Sequence, residues 1–314
     1  MIRRAARAPA ARLAIAALGA LLCGVPSAAD GPSLSLREGR AWRIWWRADQ
    51  APAHWSAADT LLAPALTWRR LADGIEWATG EIACSAPAWR TRLIVARIDP
   101  ARVTLSLAMD LSAETGEPAW SIDRAPAGAL LAVNAGQFIS SMPWGWVVID
   151  GRQRLSPGSG PLARALAIDS AGTPVWLEGD ALAHPPAGVR TAFQSYPTLL
   201  VDGTMPVPLR APGAGVDFHH RDARLAIGGT RDGRLIVAMT RFAGIGALAE
   251  RVPLGPTTPE MAAIMGALGA RDALMLDGGI SAQMLLRDPA SGRRWRWPGM
   301  RKVPMALIAR PRGR

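Results

Sequence analysis

The chain has 314 residues, 49% of them apolar and 19% charged, with a formal net charge of +11. That length and apolar content allow one large domain or two ordinary ones with a substantial core, and exclude an intrinsically disordered chain. The basic balance points to an acidic partner, namely nucleic acid, anionic lipid or anionic polysaccharide, and the N-terminus disfavours the first.

Residues 1–29 read as a signal peptide. Arg3, Arg4, Arg7 and Arg12 form a basic n-region, Leu13–Val25 an apolar h-region, and Ser27-Ala28-Ala29 offer small residues for cleavage before Asp30. The apolar run is short for a membrane span, so the expectation is a periplasmic or secreted protein with no transmembrane anchor after cleavage. Removing those four arginines from +11 leaves a mature chain at +7. Leu22 before Cys23 is too large for the usual lipoprotein box. Cys84 then stands alone, cannot form an internal disulfide, and reads as a small buried hydrophobe.

Residues 30–66 read as an Arg/Trp-rich N-terminal extension. Trp42, Trp45 and Trp46 fall at i, i+3, i+4, which suits a short amphipathic helix. The favoured reading is an element that packs its Trp face on the main domain. Ser56–Leu62 is a candidate capped helix ended by Pro64. From Trp68 onward the pattern is strand-like, with Gly74–Ala78, Thr91–Ile98 and Val103–Ala108, the last two joined by an Asp99-Pro100 turn. Leu130–Val133 is another apolar run, ending in Asn134-Ala135-Gly136-Gln137-Phe138.

Hairpin signals follow. Trp146–Ile149 and a strand from Arg152 flank Asp150-Gly151; Ala165–Ile168 and Pro174–Leu177 flank Asp169–Gly172. Thr198–Val201 and Met205–Leu209 flank Asp202-Gly203; Leu225–Gly228 and Leu235–Met239 flank Asp232-Gly233. Asp150, Asp202 and Asp232 are therefore read as turn residues. One helix stands out. Thr258 is its expected cap, with Pro259 at the first position and Glu260 near the positive end. Met261, Ile264, Met265 and Leu268 form a stripe, and Gly269 is placed to end it.

The strand Ala273–Leu276 comes next and stops at Asp277-Gly278-Gly279-Ile280-Ser281. Asp-Gly is a common turn pair, but this run is not a two-residue hairpin connection. A carboxylate at the end of a strand fed by a packed helix has a rigid mount, and glycines let a ligand approach the backbone. Arg293–Trp297 reads as a strand with Trp295 and Trp297 on one face, and Met305–Ala309 as the last strand. Residues 67–310 thus read as a single α+β domain with a mixed, largely antiparallel twisted sheet and few flanking helices.

His54, His184, His219 and His220 form no zinc spacing, and no dinucleotide or phosphate-binding glycine loop is present. Ser195 and Ser281 lack a nucleophile-elbow context. What remains is a set of polar residues at strand ends and glycine corners: Asn134, Gln194, Ser195, Arg224, Asp277 and Ser281, with His219 and His220 near Arg224.

Five stretches of this set resemble motifs of the phosphodiester glycosidase family. Asn134-Ala-Gly-Gln-Phe138 is similar to its Asn-Gly-Gly-Phe-Phe. Gln194-Ser-Tyr-Pro197, running on to Asp202-Gly203, is similar to its Gln-Ser-Gly-Pro…Asp-Gly. Arg224-Leu-Ala-Ile-Gly228 is similar to Arg-Thr-Ala-Ile-Gly. The helix with Ala273–Ser281 is similar to its Asp-Gly-Gly-Gly-Ser signature, and Arg301-Lys-Val303 to a closing Arg-x-Val. The motifs keep family order across about residues 67–310. Ala135, Gln137, Tyr196 and Ile280 depart from the pattern.

The resemblance implies hydrolysis of a sugar-1-phosphodiester at the anomeric C–O bond. Under it, Asp277 is the carboxylate at the anomeric carbon, Arg224 grips phosphate, and His219 or His220 donates a proton. Asn134, Gln194 and Ser281 hold sugar or phosphate oxygens, Ser195 joins them, and backbone around Gly136, Gly278 and Gly279 supplements the clamp. No cofactor is expected, since one obvious carboxylate makes a poor divalent-cation site. The expected partner is an anionic carbohydrate or sugar phosphate, not nucleic acid. The second reading is a non-catalytic protein of the cell envelope that binds anionic polysaccharide, motivated by the Arg/Trp stretches at 40–47 and 293–297 and the charge. A third is a basic membrane-surface protein.

Overall fold

A computed structural model describes residues 32–313 apart from 39, 50–52, 86–89, 212–215, 218, 244–251 and 253. The export signal read over residues 1–29 lies outside the described residues. The strands in chain order are β1 (Ser33–Glu38), β2 (Ala41–Arg47), β3 (Thr67–Ala72), β4 (Ile75–Cys84), β5 (Arg90–Ile98), β6 (Val103–Met109) and β7 (Leu131–Asn134). Next come β8 (Phe138–Ile139), β9 (Met142–Pro143), β10 (Val147–Ile149), β11 (Arg152–Leu155), β12 (Arg164–Asp169), β13 (Pro174–Leu177) and β14 (Val189–Ser195). The rest are β15 (Thr198–Leu200), β16 (Leu225–Thr230), β17 (Leu235–Phe242), β18 (Ala270–Leu276), β19 (Met284–Arg287), β20 (Arg294–Trp297) and β21 (Met305–Pro311). Two α-helices are described, the four-residue α1 (Asp180–Ala183) and the ten-residue α2 (Thr258–Ala267).

These strands make three main sheets. The largest runs β15-β18-β16-β17-β5-β4-β1-β2, with β3 also on β4; the second runs β11-β10-β14-β12-β13 and the third β20-β19-β7-β21-β6. Their inner faces meet in one core, where Ile94, Ile227, Val237 and Leu276 of the first sheet join Leu166 and Phe193 of the second and Val133, Met284 and Leu307 of the third. Strict alternation drives this. On β17, Leu235, Val237 and Met239 enter that core, while Ile236 and Ala238 point to the opposite face, into the second apolar cluster that also holds α2.

The α+β expectation is corrected to a mainly β fold, and the single mixed sheet to three antiparallel ones. Every described strand pair is antiparallel, including the long-range pairs β16–β18, β17–β5 and β21–β7. Tight Asp-Gly turns explain this locally. They join antiparallel neighbours, whereas a parallel pair needs a long crossover. Asp150 and Gly151, like Asp202 and Gly203, sit at positive φ, the geometry a two-residue turn demands.

Several local expectations also change. Residues 41–47 form a strand, not a helix. β1 pairs with β4, so the N-terminal extension lengthens the largest sheet. Trp46 is buried there, and Trp45 donates to Asp59 at 3.0 Å. Residues 56–62 form turns that lead into a 3-10 turn at Ala63–Ala65, and Val207–Leu209 is a 3-10 turn in place of a strand.

The helix α2 is capped by Thr257 rather than Thr258, in a capping box with Glu260. Its apolar stripe widens to burial on every side. The sheet covers one flank. The other flank meets the N-terminal segment, where Trp55 lies over Gly266, Asp59 N–H reaches Ala267 O at 2.8 Å, and Ser33 N–H reaches Glu260 Oε1 at 3.0 Å.

Candidate functional site

The three sheets bring one end of several strands together. β18 ends at Leu276 opposite Leu225, where β16 begins, and β7 ends at Asn134 opposite Ala306, near the start of β21. β14 ends at Ser195, whose hydroxyl donates to Met275 O on β18. This convergence is the rigid mount for Asp277.

The backbone of Asp277 is fixed twice. Its N–H donates to Gly136 O at 2.9 Å, and its C=O accepts from Asn134 Nδ2 at 2.8 Å. Asn134 Oδ1 in turn accepts from Gln283 N–H at 3.0 Å, so one buried amide ties both ends of the 277–283 loop. Buried Arg241 braces the same loop by donating to Ala282 O, and reaches Pro298 O at 3.2 Å. The Asp277 side chain is 20% exposed, about as much as that of Asp222 at 22%, and its Oδ2 pairs with Arg301 Nη2 at 2.8 Å. Arg301 Nε donates to Ser281 Oγ, so Asp277, Ser281 and Arg301 form one polar cluster.

A second carboxylate lies across the glycine corner. Gly279 N–H donates to Ala223 O at 2.6 Å. A methyl group on Gly279 would sit 2.6 Å from Asp222 Oδ2, so only a glycine allows this approach. Burial pushes the Asp222 carboxyl above the usual carboxylate range, partly offset by Arg224, the Ala223 N–H and His220. His220 Nε2 is 3.7 Å from Asp222 Oδ2. Asp217 anchors this segment by accepting from the N–H groups of His219 and His220, which lowers its own pKa.

Not every expected residue reaches the corner as a ligand. Asn134, Gln194 and Ser195 have no exposed surface, and their polar atoms hold the scaffold. Gln194 accepts from Trp146 N–H and Gly158 N–H and donates to Gly158 O at 2.8 Å. Gly136 supplies the carbonyl that positions Asp277. Arg224 donates Nε to Pro256 O at 3.0 Å and Nη2 to His220 O at 2.7 Å, so two of its donor groups brace the loops around Asp222. Burial depresses its pKa below the usual arginine value, opposed by Asp222 and Glu260. His220, rather than His219, has its ring beside Asp222. Asp277, Gly278, Gly279 and Ser281 lie together in one loop.

Sequence reading missed Asp222 as a site residue and placed Arg301 only inside a motif. Nothing in residue spacing marks Asp222; its proximity to Arg224 was the one available signal. Beyond Arg301 lies a cleft of about 350 Å3 lined by Arg301, Lys302, Ser140, Ser141, Phe138 and Glu117. Among the described residues no three His, Cys, Asp or Glu side chains gather as a metal site, and no helix is long and apolar enough to cross a membrane. The corner therefore offers two partly exposed carboxyl groups on either side of Gly278-Gly279, Asp277 paired with a cation and Asp222 with its pKa raised by burial, and a basic cleft beyond Arg301. Such a set can transfer a proton, stabilise a developing positive charge and receive an anion.

The profile of the phosphodiester glycosidase family matches residues 127–310, a span that contains Asn134, Gln194, Asp222, Asp277 and Arg301. No curated protein matches the chain. Among solved structures, the chain is similar to a zebrafish N-acetylglucosamine-1-phosphodiester alpha-N-acetylglucosaminidase catalytic domain auto-inhibited by pro-peptide. The two share 18% identity over 82% of this chain and 87% of that one, with a TM-score of 0.55. A hypothetical protein from Synechocystis aligns over 90% of this chain and 68% of its own at 18% identity and a TM-score of 0.48. A putative exported protein from Burkholderia pseudomallei K96243 aligns over 92% and 93% at 16% identity and a TM-score of 0.43. At these identities the likeness is one of fold.

Proposed function

Because this chain belongs to the phosphodiester glycosidase family, we propose that it is an exported hydrolase that cleaves a sugar-1-phosphodiester, or a related envelope or exopolysaccharide glycan, at the anomeric C–O bond. The observation that carries this reading is the contrast between two carboxyl groups on either side of Gly278-Gly279. Asp277 is paired with Arg301, while burial favours the protonated form of Asp222. A carboxyl pushed toward its protonated form, set beside an ion-paired carboxylate, is a natural candidate for the acid.

In the proposed reaction, water adds its oxygen to the anomeric carbon and passes one proton to the Asp277 carboxylate, the bond from that carbon to the phosphate oxygen breaks, and the electron pair leaves with the phosphate. Phosphate is a good leaving group, so the chief demands are an anion clamp and a negative charge near the anomeric carbon. The Asp277 carboxylate offsets the positive charge that develops there. Arg301, half exposed and beside Lys302, grips the phosphate in the cleft and takes the place first assigned to Arg224. Asp222 supplies the proton that the departing oxygen needs, with His220 positioned to replenish it. Asn134, Gln194 and Ser195 hold the backbone that fixes these groups. The scheme uses no metal.

The binding-protein alternative drew on the tryptophans of 40–47 and 293–297. Trp46 and Trp297 are buried, and Trp295 packs on Trp77 at 4.8 Å between ring centres. Those rings are spent on the fold, which favours the hydrolase reading. The test is turnover of the methyl diester of N-acetylglucosamine-1-phosphate by the mature protein and by Asp277→Asn, with and without chelator. Loss of turnover in the variant, with chelator indifferent, is expected. Undiminished turnover by Asp277→Asn would refute the assignment.

A further inference from the structure

Beside the corner stands a wall of residues that the proposed chemistry does not use. Tyr196, the sole tyrosine of the chain, is 43% exposed. It follows Ser195 directly, and the carbonyl of the next residue, Pro197, accepts from Met275 N–H at 3.0 Å, so Tyr196 lies beside the end of β18, just before Asp277. Gln137, next to the Gly136 that positions Asp277, donates Nε2 to Tyr196 O at 3.0 Å. Trp144 closes the circuit, since its N–H donates to Gln137 O at 2.8 Å. Its ring meets Tyr196 edge to face, with centres 4.9 Å apart and planes at 76°. Gly158 backs the indole so closely that a methyl group there would lie 2.9 Å from it.

We infer that Tyr196 and Trp144 form a second sugar subsite, which takes the pyranose adjoining the phosphate-linked one, so that the substrate is a glycan of at least two sugars. The exposed Tyr196 ring, held in place by the Trp144 indole set across it, offers a face for the C–H side of a pyranose. The Tyr196 hydroxyl and the Trp144 indole N–H have no hydrogen-bond partner among the described residues. The wall is continuous with the corner through Gly136-Gln137 and Ser195-Tyr196, and Tyr196 stands where the resembling motif has glycine. The ring is thus an addition of this chain to a shared scaffold. This inference rests on the proposed glycan chemistry at Asp277, and the experiment separates the two.

Two probes are compared, the methyl diesters of N-acetylglucosamine-1-phosphate and of chitobiose-1-phosphate. In Tyr196→Ala and Trp144→Ala, KM for the two-sugar probe should rise roughly tenfold, the order expected for a lost aromatic stack. The kcat for both probes and the KM for the one-sugar probe should hold, and Tyr196→Phe should restore most of the affinity. An equal change for both probes, or none for either, would overturn the subsite. Chitobiose binding, followed by tryptophan fluorescence in the wild type and in Asp277→Asn, is read independently of turnover. Binding that survives Asp277→Asn and is lost in Tyr196→Ala supports the subsite even if neither diester is cleaved, and absence of binding overturns it.

Discussion

Substituting Gly279 by Ala probes the two-carboxyl corner most directly. The perturbation has two parts. Gly279 sits at a φ of +55°, where a β-carbon clashes with the backbone, and that carbon would also meet Asp222 Oδ2 at 2.6 Å and Asp222 Cγ at 3.2 Å. The left-handed backbone and local overpacking together cost roughly 2–4 kcal/mol. Gly278→Ala is the control. Its φ of −97° is ordinary, but its β-carbon would lie 2.4 Å from Ala223 O, the acceptor of the Gly279 N–H. Overpacking and a weakened hydrogen bond again cost roughly 2–4 kcal/mol.

The two variants should lose similar stability by denaturant unfolding yet differ in pH dependence. Gly279→Ala expels the Asp222 carboxylate toward water and removes the burial that raised its pKa. A proton donor acts while protonated, so its pKa sets the alkaline limb of the rate profile. That limb should move to lower pH in Gly279→Ala and stay near its wild-type position in Gly278→Ala. A folded Gly279→Ala protein with an unmoved alkaline limb would refute the role of Asp222.

Three further outcomes are expected. Asp222→Asn should lower kcat by roughly 10²-fold, the lower end for a general acid. The same variant should be no less stable than wild type at neutral pH, because a carboxyl whose folded pKa is raised stabilises only at low pH and loses that contribution as pH climbs through the folded value; both are read by steady-state kinetics and urea melts across pH. Arg301→Ala should raise KM roughly 10–100-fold, the worth of a charge-assisted contact, and flatten the salt dependence of KM; unfolding should change by under about 1 kcal/mol because the Arg301 side chain is half exposed. Glu260→Ala should cost roughly 3–5 kcal/mol in denaturant unfolding, since this buried carboxylate binds Ser33 N–H, Ser85 Oγ, Thr257 N–H and Arg221 at once.

Local structure was legible where its physics is local. Short apolar runs marked β5, β16 and β17, and the Asp232-Gly233 pair marked the turn between the last two, because run length and turn chemistry are set by neighbours in sequence. β14 escaped notice since Val189–Ser195 breaks its apolar residues with Arg190, Thr191 and Gln194 and so forms neither an apolar run nor a clean alternation. The order β18-β16-β17-β5-β4 joins segments far apart in sequence, and no single segment encodes it. The same division holds at the site. Asp277 could be picked out because a strand, a helix and two glycines surround it locally. Asn134, Gln194 and Ser195 were read as ligands because a polar strand end suits a ligand as well as a scaffold clamp, and only burial distinguishes them. Asp222 was invisible because its shifted acidity arises from the fold, through a carboxylate pressed against a distant glycine.

The four departures from the family motifs sort by position in the structure. Ala135 is fully buried in the central core, so the added methyl group fills space and meets no ligand. Ile280 is 43% exposed, while its carbonyl accepts Met300 N–H at 2.7 Å, so its side chain points away from the loop contacts that hold Asp277. Gln137 and Tyr196 are bonded to each other and build the outer wall. None of the four touches the hydrogen bonds from Asn134, Gly136 and Arg301 that set the Asp277 carboxylate. Under the proposed reaction, then, the departures act on which glycan enters, and the carboxyl pair that would carry the chemistry is left with its glycines, its amide clamp and its arginine.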